Sequence, residues 1–324
     1  MNGDHRPRMS VVMPNYNHGH LIEDALSAFA RQTMPAFEVV VVDDGSTDDS
    51  VTRLQALAAR WPWLKVHQLP ANRGVNTACN TGLALVSGDF ILFAAADDRV
   101  CDEMVDRASA AAAAFPQSGV VFSDQAQMDA DGTGAHVQRF DLPNERRYFS
   151  GDEFVRLMQQ NFFYFHVSSV WFNVPLLRQL GGFPPAVRWH GDLLAAYAAA
   201  FERGAVYVPG AVSYFRISPG SYGAAGSRGR AQIDVIRAWH ALLKQPGWER
   251  RRAGFVAGAI LPEYSLRALG VLLRSDPTSL TPRLAGRLAW LVIWTRLAPF
   301  VGTGLRRRLR DVRSRLRRLR WRTE

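Results

Sequence analysis

Three apolar runs in the first hundred residues each stop on polar side chains. "MSVVMPNYN" (9–17) stops on Asn15-Tyr16-Asn17, "FEVVVVDDGS" (37–46) on Asp43-Asp44, and "DFILFAAADD" (89–98) on Asp97-Asp98. Continuous β-branched and aromatic runs of this length suit strands buried on both faces, the kind found in parallel sheets. The stretches between them have helical spacing: "HLIEDALSAFARQ" (20–32), "DDSVTRLQALAARW" (48–61, with Asp or Ser for a cap) and "GVNTACNTGLALVSG" (74–88). "LKVHQL" (64–69) and "GVVFSD" (119–124) read as further strands, and "EMVDRASAAAAAFP" (103–116) as a helix stopped by Pro116. Strand and helix alternate as in βαβ units, so residues 1–124 form a doubly wound α/β half. Ligands of such sheets bind beyond the carboxyl ends of the strands, where the three polar termini should converge.

The adjacent acids at 97 and 98 pose a physical question. A buried, unpaired carboxylate is costly, and two repel each other. Solvent exposure, a bound cation or a sugar hydroxyl would each resolve it. No Gly-x-Gly-x-x-Gly follows the first strand and no Gly-x-x-x-x-Gly-Lys loop exists, so a nucleotide would be held by side chains and a metal rather than by a glycine-rich phosphate cradle.

The second half is less regular. "DADG" (129–132) reads as a hairpin turn, "HVSSVWF" (166–172) as a strand, and "VPLLRQLGGF" (174–183) as a short helix ended by Gly181-Gly182. "WHGDLLAAYAAAFERG" (189–204) is a helix with Asp192 in its first turn, and "AVYVPGAVSYFRIS" (205–218) suggests two short strands. Residues 125–228 then form an acceptor-side half of the same domain, 229–302 a helical extension, and 303–324 a tail.

The formal charge of +10 belongs to that tail: ten Arg against Asp311 and Glu324 give residues 303–324 a net of +8, which leaves +2 for residues 1–302. A nucleic-acid-binding module is disfavoured by this confinement. Leu305, Leu309, Val312, Leu316 and Leu319 form one helical stripe among the arginines, below "LAWLVIWTRLAPFVG" (288–302). This reads as a basic amphipathic segment for an anionic membrane surface, with a coiled-coil seam or packing on the protein itself as the plainer alternatives. The apolar run above it is too short to span a bilayer. Two cysteines, Cys79 and Cys101, give no metal spacing or disulfide framework, and the N-terminus lacks the apolar core of a signal peptide.

"SVVMPNYNHGHLIEDALSAFARQTMPAFEVVVVDDGSTDDS", "NRGVNTACNTGLALVSGDFILFAAADD", "GGFPPAVRWHGDLLAAYAAAFERGAVYVP" and "YFRISPGSYG" together resemble glycosyltransferase family 2 over residues 8–225. The resemblance implies a GT-A fold: a Rossmann-like, mostly parallel sheet flanked by helices. It also implies a nucleotide-diphosphate sugar donor, Mg2+ or Mn2+, and inversion at the anomeric carbon. On it, Asp44 matches the acid at the uracil ring, Pro14 and Tyr16 flank the base, and Arg73 lies near the diphosphate. Asp97 matches the ribose-binding acid, Asp98 the metal ligand and Asp192 the catalytic base. Plainer roles exist for each: a turn-forming Asp44, a rim aromatic at Tyr16, a surface Arg73, a helix-capping Asp192. The chain departs from the family pattern at Ala95, Cys79 and Ser218. The expectation is a UDP-sugar-dependent transferase acting on a glycan or lipid-linked acceptor in envelope synthesis, cytoplasmic and peripheral on the inner face of the plasma membrane. The departures support one alternative, a catalytically inactive nucleotide-sugar-binding or scaffolding relative.

Overall fold

The computed structural model describes residues 6–129, 132, 134–161, 164–216, 226, 231–262 and 266–297. The expected opening rhythm is present. β1 (Met9–Asn15), α1 (Gly19–Ala30), β2 (Glu38–Asp43), α2 (Ser50–Arg60), β3 (Leu64–Gln68), α3 (Val75–Leu85) and β4 (Phe90–Phe93) follow in order. Pairing of β1 with β2 and β4, and of β2 with β3, is parallel. A two-residue β5 (Arg99–Val100) and α4 (Met104–Ala114) lead to the long β6 (Val120–Met128), from which β7 (His136–Gln138) folds back as an antiparallel partner.

The remaining strands are β8 (Arg147–Phe149), β9 (Val170–Asn173) and β10 (Ala205–Arg216). Spatial order along the sheet is β3-β2-β1-β4-β9-β6-β10-β5, with β7 beside β6 and β8 beside β10. β9 runs antiparallel to both β4 and β6. The sheet is therefore mixed at its centre, and one antiparallel strand joins the two parallel blocks.

Alternate residues of the buried strands feed two cores. Val12, Val40, Val42, Ile91 and Phe93 face α3 and the later helices α5 (Gly151–Gln160) and α7 (Gly191–Arg203). Val11, Met13, Val39, Val41 and Leu92 face α1, α2 and α4. Both faces are covered, which is why these strands are apolar throughout and not alternating. Gly82 lets α3 sit tight on the sheet, since a Cβ there would lie 2.3 Å from Val12 Cγ1.

Two expectations are corrected. Residues 166–172 do not form one strand: 167–169 make a 3-10 turn and β9 begins at Val170. Ser169 Oγ donates to the His166 carbonyl, so a local side-chain bond competes with the ladder there. Residues 205–216 form one strand rather than two, because Pro209-Gly210 is absorbed as an irregularity, with register shifts between Val208 and Ser213 against β6. α2 has Asp49 at its cap position without a side-chain cap bond, and Asp48 Oδ1 accepts from Ser50 N instead.

After α6 (Val174–Gln179) and α7, the chain continues into α8 (Ala231–Leu243), α9 (Glu249–Ala257), α10 (Leu266–Ser275) and α11 (Pro282–Leu297). Ile236, Ala268, Leu272, Leu284 and Leu288 give these helices a separate small core. No helix among the described residues is long and apolar enough to cross a membrane. The basic tail at 303–324 and Ser218 lie outside the described residues.

Candidate active site

The ends of β1 and β2 are clasped together. Asn15 and Asp43 are register partners, and Asn15 Nδ2 donates to Asp43 Oδ2 at 2.8 Å. Ser46 completes the turn, its backbone N–H donating to Asp43 Oδ1 at 2.9 Å and its hydroxyl to Oδ2 at 2.6 Å. Asp43 thus supports the loop. Gly45 makes the turn possible: its φ is +72°, and a Cβ would meet the Ala71 backbone at 2.6 Å.

Asp44 is buried and turned the other way. Its two oxygens accept from the backbone N–H groups of Arg73 and Gly74, each at 2.8 Å. The acid so fixes the turn at the head of α3, and Arg73 stands exposed on that turn. Tyr16 is 41% exposed one residue after β1, and Pro14 is half-buried within it. Asn17, at φ 56°, accepts from Thr47 N across the same rim.

Asp98 has a different environment. It is 7% exposed, Ser168 Oγ donates to its Oδ2 at 2.5 Å, and Arg216 N donates to its Oδ1 at 3.0 Å. Burial, reinforced by the neighbouring Asp97, pushes its carboxyl up to about 7 despite those two bonds. Asp97 is half-buried, and its carbonyl accepts from Arg216 Nε at 3.1 Å. The end of β10 and the turn before β9 therefore converge on the acidic pair after β4.

That turn brings in His166, which sequence reasoning placed at the start of a strand. Its ring stacks on Phe215 of β10 with centroids 4.2 Å apart. Nδ1 lies 4.0 Å from Asp98 Oδ2, is buried, and has no hydrogen-bond partner among the described residues. Burial holds the imidazole down to about 4, although Asp192 and Asp97 both favour its charged form. A lone histidine in the sequence carried no signal for this; only the fold brings it to Asp98, 68 positions earlier in the chain.

Asp192 occupies the first turn of α7, half-buried, with Oδ1 accepting from Leu193 N at 2.7 Å. Burial raises its pKa, a shift that His166 opposes. The buried Cys79 thiol on α3 feels both Asp192 and Asp44, and His166 feels both Asp192 and Asp97. Asp192 therefore lies within electrostatic reach of both His166 and Cys79.

Helix α3 also fixes the approach to Asp192. Asn76 Nδ2 donates to the carbonyls of Arg188 (2.8 Å) and Pro184 (3.2 Å). Asn80 donates to the Phe183 carbonyl and accepts from Phe183 N. Arg188 is held at φ 45°, ψ −116°, outside ordinary backbone space for a side-chain-bearing residue. Trp189 and His190, both half-buried, are tied to Gln232 of α8, Trp189 by a 2.7 Å bond from Nε1.

Among the described residues, no three His, Cys, Asp or Glu side chains cluster for a metal. A hard cation that completes its shell with phosphate and water oxygens needs only one or two protein carboxylates. Asp98 suits such an ion, since a nearby cation would relieve the burial cost of its charge.

The family model for Glycosyl transferase family 2 matches residues 10–181, just over half of the chain. Two curated relatives are an uncharacterized glycosyltransferase, YibD, of Escherichia coli and another, EpsJ, of Bacillus subtilis. YibD is 34% identical over 31% of this chain and 28% of its own length, and EpsJ 32% identical over 42% and 36%. A PGL/p-HBAD biosynthesis glycosyltransferase of Mycobacterium bovis is 30% identical over 36% of this chain and 46% of its own length. The matched stretches thus span less than half of these relatives.

Among solved structures, S. aureus TarS 1–349 in complex with UDP-GlcNAc superposes with a TM-score of 0.62 at 22% identity, over 84% of this chain and 74% of that one. Mannosyltransferase PcManGT from Pyrobaculum calidifontis, in complex with GDP-Man and Mn2+, does so with 0.57 at 22% identity, over 99% and 89%. At such identity the likeness shows the fold, which is the GT-A fold expected from the sequence.

Proposed function

We propose, starting from the fact that this chain belongs to glycosyltransferase family 2, that it moves a sugar from a UDP-sugar to an acceptor hydroxyl by inverting displacement. The observation that carries the reading is Asp98: a buried carboxylate after β4, raised to about 7 and 4.0 Å from His166, a ring that the half-buried Asp192 also influences. A carboxylate under that pressure suits a cation-dependent site.

The base of the donor lies between Tyr16 and the Asp44 turn. Each Asp44 oxygen accepts one described hydrogen bond, and a carboxylate offers roughly four acceptor sites, so capacity remains for a ring N–H. Asp97 takes the ribose hydroxyls, and the exposed Arg73 takes phosphate oxygens, which its guanidinium fork matches. Asp98 holds Mg2+ or Mn2+, which when bound neutralises charge on the departing diphosphate.

Asp192 accepts the proton of the acceptor hydroxyl as that oxygen bonds to the anomeric carbon. The carbon–oxygen bond to the diphosphate breaks on the opposite side, which gives inversion. The raised pKa of Asp192 brings its basicity closer to what proton removal near neutral pH requires. The TarS complexes with UDP and UDP-GlcNAc support a uridine donor, while the GDP-Man complex of PcManGT makes GDP the competitor to test. The acceptor is a membrane-linked glycan or glycolipid, read from the basic amphipathic tail. That segment would hold the enzyme peripherally on the cytoplasmic face of the membrane.

Calorimetry of UDP binding with and without Mn2+, on wild type and Asp98→Ala, tests the donor site. Binding is expected to depend on Mn2+ and to be lost in the variant. No binding of UDP or GDP by the wild type would leave the inactive scaffolding relative as the better account.

A further inference from the structure

Among the described residues, His166 is the one group near the acids with a buried ring nitrogen and no partner. Buried polar atoms are nearly always hydrogen-bonded, so an orphan asks what normally meets it. Three observations narrow the answer. First, Phe215 stacks on the ring at 4.2 Å and Gln125 Oε1 accepts from His166 N at 2.9 Å, so the side chain and its backbone are both fixed. Second, the unpartnered Nδ1 faces Asp98 Oδ2 across 4.0 Å, which is too far for a hydrogen bond. Third, Ser168 and Arg216 N hold the Asp98 carboxylate in place, so it is not waiting for the ring to orient it.

Two atoms bound to one small divalent cation at about 2.1 Å lie roughly 3 to 4 Å apart, depending on the angle between them. The gap between Nδ1 and Oδ2 falls at the wide end of that range. A neutral imidazole presents one lone pair, and imidazole nitrogen is an accepted ligand of first-row divalent metals such as Mn2+.

We propose that His166 is a second protein ligand of the cation, binding through Nδ1 beside Asp98. The inference rests on the metal-dependent reading above and adds a nitrogen to a site otherwise read as all oxygen. It also gives the chain a softer ligand set than two carboxylates would, which favours Mn2+ over Mg2+.

Pulsed electron paramagnetic resonance on the intact protein with Mn2+ and UDP reads this directly. Wild type should show the modulation of a metal-bound imidazole nitrogen. Growth on ring-15N-histidine should convert it to the 15N pattern. His166→Phe keeps a ring against Phe215 and removes the nitrogens. It should abolish the signal and weaken Mn2+ binding in the presence of UDP by about tenfold or more. Mn2+ bound without nitrogen modulation, or modulation that survives in His166→Phe, would overturn the ligand while leaving the metal site standing. No Mn2+ binding with either UDP or GDP would overturn both.

Discussion

Asp43-Asp44 and Asp97-Asp98 are the same device in sequence, two adjacent acids at the end of a buried parallel strand, and they meet different fates. The first pair is tied into the fold. Asp43 accepts three hydrogen bonds and Asp44 two, and together they tie β1, β2 and the head of α3 into one unit. The second pair is left in need. Asp98 is buried with Ser168 and one backbone N–H as its hydrogen-bond donors among the described residues, and its carboxyl rises to about 7. Asp43, with three donors, acts as a structural fastener, whereas Asp98, with two donors and a second acid beside it, keeps need of a further partner.

The largest effects should come from acids assigned to chemistry. Asp192→Asn is expected to lower kcat by about 10²- to 10⁴-fold while UDP binding with Mn2+ stays intact, as measured by steady-state kinetics beside calorimetry. A comparable loss of UDP affinity would instead make Asp192 a donor-binding group.

Exchanging carboxylate for amide should then move stability in opposite directions at the two pairs. Asp43→Asn sets an amide donor against Asn15 and Ser46 and should cost about 2–3 kcal/mol in urea unfolding. Asp98→Asn in metal-free buffer should raise stability at pH 8. The sign follows from the raised pKa. Unfolded, the acid ionises near 3.8, but in the fold it resists charging until about 7. Its burial therefore costs stability progressively as pH climbs through that window, on the order of a few kcal/mol by pH 8. Below pH 4 wild type and Asp98→Asn should converge, and a constant difference from pH 4 to 8 would sink the contrast between the pairs.

The smallest effect belongs to Arg73. Its exposed side chain makes no ion pair among the described residues, so Arg73→Ala should change stability by less than about 0.5 kcal/mol. It should nonetheless weaken UDP binding about tenfold, a loss of roughly 1.4 kcal/mol.

The first half was legible because its physics is local. β1, β2 and β4 announce themselves as unbroken apolar runs, and their polar termini sit where such strands end. The second half was less so. Pro209-Gly210 looks like a break between strands, yet β10 runs through it because β6 supplies partners on both sides of the irregularity. Ser168 and Ser169 look like strand residues, yet one hydroxyl serves Asp98 and the other a nearby carbonyl. His166 gains its meaning from partners 68 positions before it and 49 after it, a distance no local pattern spans.

Asn76 and Asn80 have a consequence for anyone recombining this protein with its relatives. They bolt α3 to residues 183–188, just ahead of Asp192, across more than a hundred positions of sequence. A chimera joined near residue 124, where the two halves invite division, would draw the helix and the segment it grips from different parents. The hybrid could keep both parental halves intact and still misplace Asp192, the base proposed above, relative to the acids of the first half. The two halves are exchangeable only if the asparagines and the carbonyls they hold travel together.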